Sequence, residues 1–300
     1  MNKNLIVRYI WLIDTLTTHG RLTRRQISDL WQRSSLSGGE PLPERTFYNY
    51  RRAIEEIFKI EIACTRSGEY YIDRGDGEAS KMTDWLLDSF AVGNMLADAP
   101  DIAGRIEVEE VPSAREFLPV AISAMRSSTA ILFDYAGFNR SMTDREIEFE
   151  PYFLKLYKQR WYMIGRRVKG GEMRTYALDR VKAMELTDRH FEMPEGLTPG
   201  HLFGQILGVT ASKAEERTVR LRTTRTQAKY FRALPLHSSQ REEITGADYS
   251  IFTYRLKLNY ELVHELMGLG DGVKILEPAE LRLMVSTELR KALQQYQQQP

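Results

Sequence analysis

The sequence has one cysteine, Cys64, in 300 residues. No disulfide can form within the chain, and that count fits a reducing compartment, the cytoplasm. The neighbours of Cys64 in EIACTRSGEYYI predict a buried strand position and an inert thiol rather than a nucleophile. Only five histidines are present, and spacing ties none of them to it. Long apolar runs are absent too: nothing approaches the roughly 20 residues that cross a bilayer, so no membrane partner is expected. The N-terminal MNKNLIVRYIWLIDTLTTHG interrupts its apolar portion with Arg8 and Asp14 and lacks a small-residue cleavage site, which argues against a secretory signal. An excess of one charge sign is also missing, the net charge being +1. This excludes a uniformly basic or acidic protein but not a polyanion partner, because docking follows local charge. Catalytic signatures are lacking as well: there is no H-E-x-x-H, no Walker lysine loop and no nucleophile elbow. The nearest approach to a metal site is Asp134, Asp144, Glu146, Glu148 and Glu150, of which the three glutamates alternate onto one strand face. Carboxylates in a single row are read as a solvated face, since a metal cage needs ligands from several elements. Neither a metal nor a cofactor is expected.

What is present reads as globular and multidomain. The chain is 42% hydrophobic and 28% charged, and its length suggests two or three domains. Leu5, Ile6, Tyr9, Ile10, Leu12, Ile13 and Leu16 repeat at helical spacing, and His19-Gly20 ends that helix. Thr23 is placed to cap a second helix over Arg24 to Leu36, whose apolar face holds Ile27, Leu30 and Trp31. After the loop SSLSGGEPLP, the segment ERTFYNYRRAIEEIF sets Phe47, Tyr50, Ile54 and Ile57 at 3-4-3 spacing. KIEIACTRSGEYYID then reads as two strands about a Ser-Gly turn. Helix, helix, helix, hairpin is the order of a winged helix-turn-helix, here over residues 1–75. The polar face of its third helix carries Arg45, Thr46, Tyr48, Asn49, Arg51 and Arg52. Arg suits guanine edges and phosphates, Asn suits adenine, and hydroxyls suit backbone oxygens. Arg66 at the hairpin tip is within reach of a neighbouring phosphate. Glu55 and Glu56 lie one to two turns further on, facing away from phosphate or beyond its reach. Double-stranded DNA is the expected partner, bound by a homodimer whose two-fold symmetry supplies two half-sites. An ordinary solvated helix face is the competing reading.

Residues 76–127 read as a helical linker or dimerisation element, with Trp85, Leu86, Phe90, Met95 and Leu96 apolar enough to pack on something. Residues 128–205 change to short strands with turns at Gly137, Gln159-Arg160 and Gly170-Gly171, which suggests a small barrel. Residues 206–300 follow a βαββαβα-like order that resembles a ferredoxin-like unit with an extra C-terminal helix. The fold class expected is therefore α+β multidomain.

Within the barrel segment, QRWYMIGRRVKGGEMRTYALDRV concentrates aromatics and arginines around a Lys-Gly-Gly turn. Strand alternation puts Trp161, Met163 and Gly165 on one face and Tyr162 and Ile164 on the other, with Arg174 and Tyr176 sharing a face of the next strand. Trp161-Tyr162-Met163 resembles the W-Y-L signature of the WYL-domain transcriptional regulators, with Met in place of Leu. REIEFEP (Arg145 to Pro151) resembles that family's R-x-v-x-P strand, and MRTYALDRV (Met173 to Val181) its R-x-[FY]-x-x-D-R-[IV] run. The C-terminal segment is similar to the accessory domain that follows in many members. RTFYNYRR resembles the family's R-T-[IF] recognition helix but departs from its R-D-L continuation. The resemblance implies an SH3-type, Sm-like barrel that senses a single-stranded nucleic acid or nucleotide-like effector through Arg145, Tyr162, Arg174, Tyr176 and Arg180. The plainer reading makes Trp161 and Tyr162 barrel core and pairs Arg180 with Asp179 or another carboxylate. Two other function classes stay open: a nucleic-acid-processing enzyme, which would cleave DNA with Mg, and a protein-interaction scaffold, which would bind no nucleic acid.

Overall fold

The computed structural model describes residues 3–73, 116–138, 143–210 and 214–297, with the isolated residues 85, 89, 105 and 107. The chain divides into two compact units, Met1–Glu109 and Glu110–Pro300. In the first, α1 (Lys3–His19), α2 (Arg24–Gln32) and α3 (Glu44–Phe58) pack with β1 (Leu22–Thr23), β2 (Glu61–Cys64) and β3 (Glu69–Asp73), the strands forming an antiparallel sheet of order β1-β3-β2. The sequence dictates the breaks. Gly20 takes φ +74 to end α1, and Thr23 caps α2 in a reciprocal box with Gln26. The second helix stops at Gln32, short of the expected Leu36, because the Ser34 and Ser37 hydroxyls donate to the carbonyls of Trp31 and Gln32 and draw the chain into turns. Leu12, Ile27, Phe47, Ile54 and Ile62 are fully buried in the core. Ile57, expected on the apolar face of α3, is exposed at that helix's last turn. Cys64, expected in the core, is also exposed: it is the last residue of β2, two past the buried Ile62. Of the proposed linker, Trp85 is exposed, while Leu86, Phe90, Met95 and Leu96 lie outside the described residues.

The second unit opens with α4 (Leu118–Ser127), where the linker reading holds a helix. Five strands follow: β4 (Thr129–Tyr135), β5 (Asp144–Tyr157), β6 (Arg160–Arg167), β7 (Met173–Ala177) and β8 (Val181–His190), in the order β7-β6-β5-β4-β8. A 3-10 turn, Leu178–Arg180, joins the two edge strands. One core draws on every strand, with Ile131, Phe149, Met163, Tyr176 and Val181 among its members, so the sheet curls around it as a small barrel. The register of β5 on β6 shifts between Pro151 and Phe153, and this bulge turns Tyr152 and Phe153 to the outside. There they meet Ile164 and a covering segment that includes Phe191, Leu197, Leu202 and Phe203. Both faces of β6 are thus buried.

The chain then runs through a short helix α5 (Pro199–Phe203) into β9 (Glu216–Thr224), α6 (Arg225–Ala233), β10 (Arg241–Thr245), β11 (Tyr249–Lys257), α7 (Tyr260–Gly268), β12 (Val273–Glu277) and α8 (Ala279–Gln297). The strand order β10-β11-β9-β12 is that of a ferredoxin-like sheet. Its core joins Val219, Leu221, Phe252 and Tyr254 of the strands to Phe231, Leu262, Leu266 and Leu281 of the helices, leaving the sheet's other face open. The barrel and this domain are tied together. Thr175 Oγ1 donates to the Val209 carbonyl at 3.1 Å, Lys155 Nζ donates to the Gly208 carbonyl, and Lys158 pairs with Glu265 at 2.8 Å.

Candidate nucleic-acid interface and barrel site

In α3 the buried Phe47, Tyr50 and Ile54 fix which side faces out. Phe47 stacks edge-on to Tyr70 of β3 at 4.7 Å, and Tyr50 does the same with Tyr9 of α1 at 5.3 Å. Arg45, Asn49 and Arg52, spaced four and three apart, then form one exposed stripe. The other expected contacts divide. Thr46 is half-buried. Tyr48 shares a 3.1 Å hydroxyl contact with Tyr70, whose own ionisation is pushed well up by burial and by that bond. Arg51 pairs with Glu55 at 3.1 Å and lies over the Tyr70 ring at 5.9 Å, so it leans on the hairpin rather than standing on the stripe. Glu56, four residues beyond Arg52, continues the stripe with the opposite charge. Between β2 and β3 the Gly68 amide donates to the Thr65 carbonyl at 3.0 Å, and Arg66 is exposed at the tip of this tight turn.

The five barrel residues expected on one surface do not share one. Tyr176 is core: its ring meets Tyr135, Phe133 and Phe149 at 4.9–5.2 Å, and burial pushes its hydroxyl's ionisation up. Tyr162 is half-buried on the opposite side of the sheet, against the outer cluster. Arg174 is exposed and bonded to Glu172 at 3.1 Å, and Arg145 is exposed at the start of β5. Arg180 does not pair with Asp179. Its guanidinium lies 3.8 Å from the ring centroid of Phe138, a residue 75% exposed, while Asp179 takes Arg160 at 3.6 Å. Asp179 Oδ1 and Arg180 Nε are buried with no protein partner among the described residues. Trp161 is half-buried against the barrel core, nearer to the core reading than to a stacking platform.

One functional-looking group was missed by pattern. Glu150, read as part of a solvated glutamate row, is only 1% exposed. Arg166 grips it with two bonds of 2.7 and 2.9 Å, Tyr152 donates to it at 2.7 Å, and Arg189 approaches to 4.0 Å. Burial opposes its ionisation, but these donors prevail and hold its carboxyl below the usual range, while the Tyr152 hydroxyl is pushed up to about 12. Glu146 sits at φ +53 with its amide donating to Asp134 Oδ1, and this irregularity breaks the alternation of the row. Among the described residues no group of three His, Cys, Asp or Glu is placed to hold a metal, and no helix is long and apolar enough to cross a membrane.

A head of three helices on a three-stranded sheet, a five-stranded barrel and a C-terminal four-stranded sheet with helices define a modular α+β protein. Residues 116–186 match the WYL domain and residues 215–293 the WCX domain, which together cover half of the chain. The chain belongs to the WYL-domain family. No curated protein matches it. Among solved structures it is similar to proteasome accessory factor B/C (PafBC) of Arthrobacter aurescens, at 20% identity and TM-score 0.34 over 93% of this chain and 46% of that one. A CRISPR Cas-related protein is also similar, at 16% identity and TM-score 0.37 over 60% of this chain and 50% of the other. The chain spans about half the length of each.

Proposed function

We propose that this protein is a transcription regulator, that α3 and the β2–β3 hairpin bind double-stranded DNA, and that the barrel senses a single-stranded nucleic acid or nucleotide-like effector. The observation that carries the reading is the exposed Arg45–Asn49–Arg52 stripe on the third helix of a winged helix-turn-helix. A helix of this kind lies in the major groove, where Arg and Asn read base edges, while Arg66 of the hairpin takes phosphate. For the effector, the support is the cluster at the 3-10 turn: Arg180 under the exposed Phe138, Arg160 of β6 on Asp179, and Tyr162, whose hydroxyl feels the charges of Arg160, Asp179 and Arg180. An aromatic face beside guanidiniums suits stacked bases and phosphates. Binding there would offer partners to the buried Asp179 Oδ1 and Arg180 Nε, groups that cost about 1–3 kcal/mol each when left unpaired.

The protein acts in this reading as a homodimer, supported by the exposed Leu289, Leu293 and Tyr296 at helical spacing on α8, and it works by binding in the cytoplasm, without catalysis. Duplex selection from a random library, followed by titration of the selected site in rising salt, tests the reading. Log affinity is expected to fall linearly with log salt, and Arg52→Ala to weaken the selected site by about 1–3 kcal/mol. Absence of any salt-dependent duplex binding removes the proposal, and Mg-dependent cleavage would replace it with an enzyme.

A further inference from the structure

The open face of the ferredoxin-like sheet is lined by residues that alternate outward from its strands, and its arginines fall into two groups. Toward one end they are neutralised. Arg220 takes both Glu243 oxygens at 2.9 and 3.1 Å and Glu277 at 3.1 Å, and Arg255 is bonded to Glu216. Toward the other end they are not. Arg222 of β9 and Lys274 of β12 are direct cross-strand partners, and among the described residues neither side chain makes a hydrogen bond or ion pair. Like charges set opposite each other across strands destabilise a sheet, and local rules are broken mainly where function requires it. Arg222 is not loose, however: its guanidinium lies 4.3 Å from the ring centroid of Tyr249 on the adjacent β11, which fixes a flat cation on a half-buried aromatic.

These groups line a shallow pocket of about 240 Å³ together with Thr224, Asp248 and Asp271. That volume lies below the roughly 300 Å³ at which pockets enclose a whole small molecule, so the pocket suits one unit of a longer ligand that runs across the open sheet. The unpaired cations suit a phosphate, the Tyr249–Arg222 stack suits a base or sugar edge, and the two carboxylates are acceptors for sugar hydroxyls or exocyclic amines. Four-stranded sheets with helices on one side commonly bind single strands on the other, by this combination of aromatics and cations.

We infer that the Arg222–Tyr249–Lys274 face of the C-terminal domain is a second contact surface for a single-stranded nucleic acid, separate from the barrel cluster. The inference rests on the reading that the protein responds to nucleic acid, and it extends that reading to a site on another domain. The test is a salt titration of full-length protein with a short single-stranded oligonucleotide, for the parent, the double variant Arg222→Ala, Lys274→Ala, and the barrel variant Arg180→Ala. Each lost phosphate contact lowers the salt slope by about 0.7, so the sheet variant is expected to lose about 1.4 from it. Its melting temperature should be unchanged or higher, because the substitutions remove a like-charge pair; a purely structural role would lower it. Tyr249→Ala should weaken binding without changing the slope. An unchanged slope in the sheet variant, with binding lost in Arg180→Ala, overturns the second surface and leaves the barrel reading standing. A parent that binds no single strand overturns both. A free mononucleotide that competes as well as the oligonucleotide overturns the strand in favour of a small ligand.

Discussion

Gly165 carries no side chain because none fits: a Cβ there would meet the Glu150 carbonyl oxygen at 1.9 Å and the Phe149 ring at 2.9 Å. The close approach of β5 and β6 at this point is what lets the long β5 bend around the core, so Gly165→Ala should push the strands apart. Overpacking of this kind costs about 1–3 kcal/mol, more when backbone is in the way, and is expected as a clear fall in the barrel's melting temperature. Trp161→Ala, by contrast, should cost less than the about 3–5 kcal/mol of a fully buried tryptophan, since the side chain is only half-buried. Several single residues were illegible in the sequence for identifiable reasons. Glu150 looks like its neighbours Glu146 and Glu148, and only the bulges of β5 and the arrival of Arg166 and Arg189 from other strands make it a buried ion-pair centre. Met163 and Ile164 are adjacent and both fully buried, so alternation along β6 could not say which side of the strand was the surface. Tyr176 beside Arg174 suggested a binding face, but its aromatic neighbours come from β4 and β5, which one strand's pattern does not reveal.

Elements were more legible than their faces. The third helix begins and ends where its periodicity and the following Lys59 require, Lys59 taking the left-handed conformation that stops it. The short charged strand β10 gave no pattern of its own, since nearly every residue in REEIT is exposed at the sheet's edge. The β5–β6 turn was expected at Gln159-Arg160 but sits one residue earlier, with Lys158 at φ 47 and Gln159 at φ 63. Both central residues of such a hairpin turn prefer to be Asn or Gly. Gln159→Gly should therefore stabilise the barrel by up to about 1 kcal/mol, read as a raised denaturation midpoint, whereas Lys158 is better kept for its pair with Glu265. A second element-level prediction concerns acid. Arg232 of α6 bonds Glu242 of β10 and holds its carboxyl from 4.5 down to about 2. A depressed carboxylate stabilises the fold above its unfolded value and loses that contribution as pH falls. Between pH 4.5 and about 2 the melting temperature should therefore drop more steeply in the parent than in Glu242→Gln, and parallel curves would show that the pair contributes nothing.

At the scale of the molecule, the order of modules was readable because each has its own period and punctuation: three helices and a hairpin, then short strands, then a βαββαβ run. What one sequence does not display is how sites communicate, because coupling depends on two states of the whole chain rather than on any local pattern. Within the second unit the ties are visible. The segment at Gly208 and Val209 takes bonds from Lys155 and Thr175 of the barrel, and Glu261 of α7 accepts from the Val209 and Thr210 amides, so this segment bonds to both domains. The proposal extends such coupling to duplex binding by α3. Linkage requires the effect to appear as a change of operator affinity, typically about 5–150-fold. The deciding measurement is a titration of the selected duplex with and without a single-stranded oligonucleotide, on the parent and on Arg180→Ala. The account predicts that the oligonucleotide shifts the parent's duplex affinity within that range and leaves the variant, which keeps its basal affinity, unmoved. An identical response in the two proteins would contradict it.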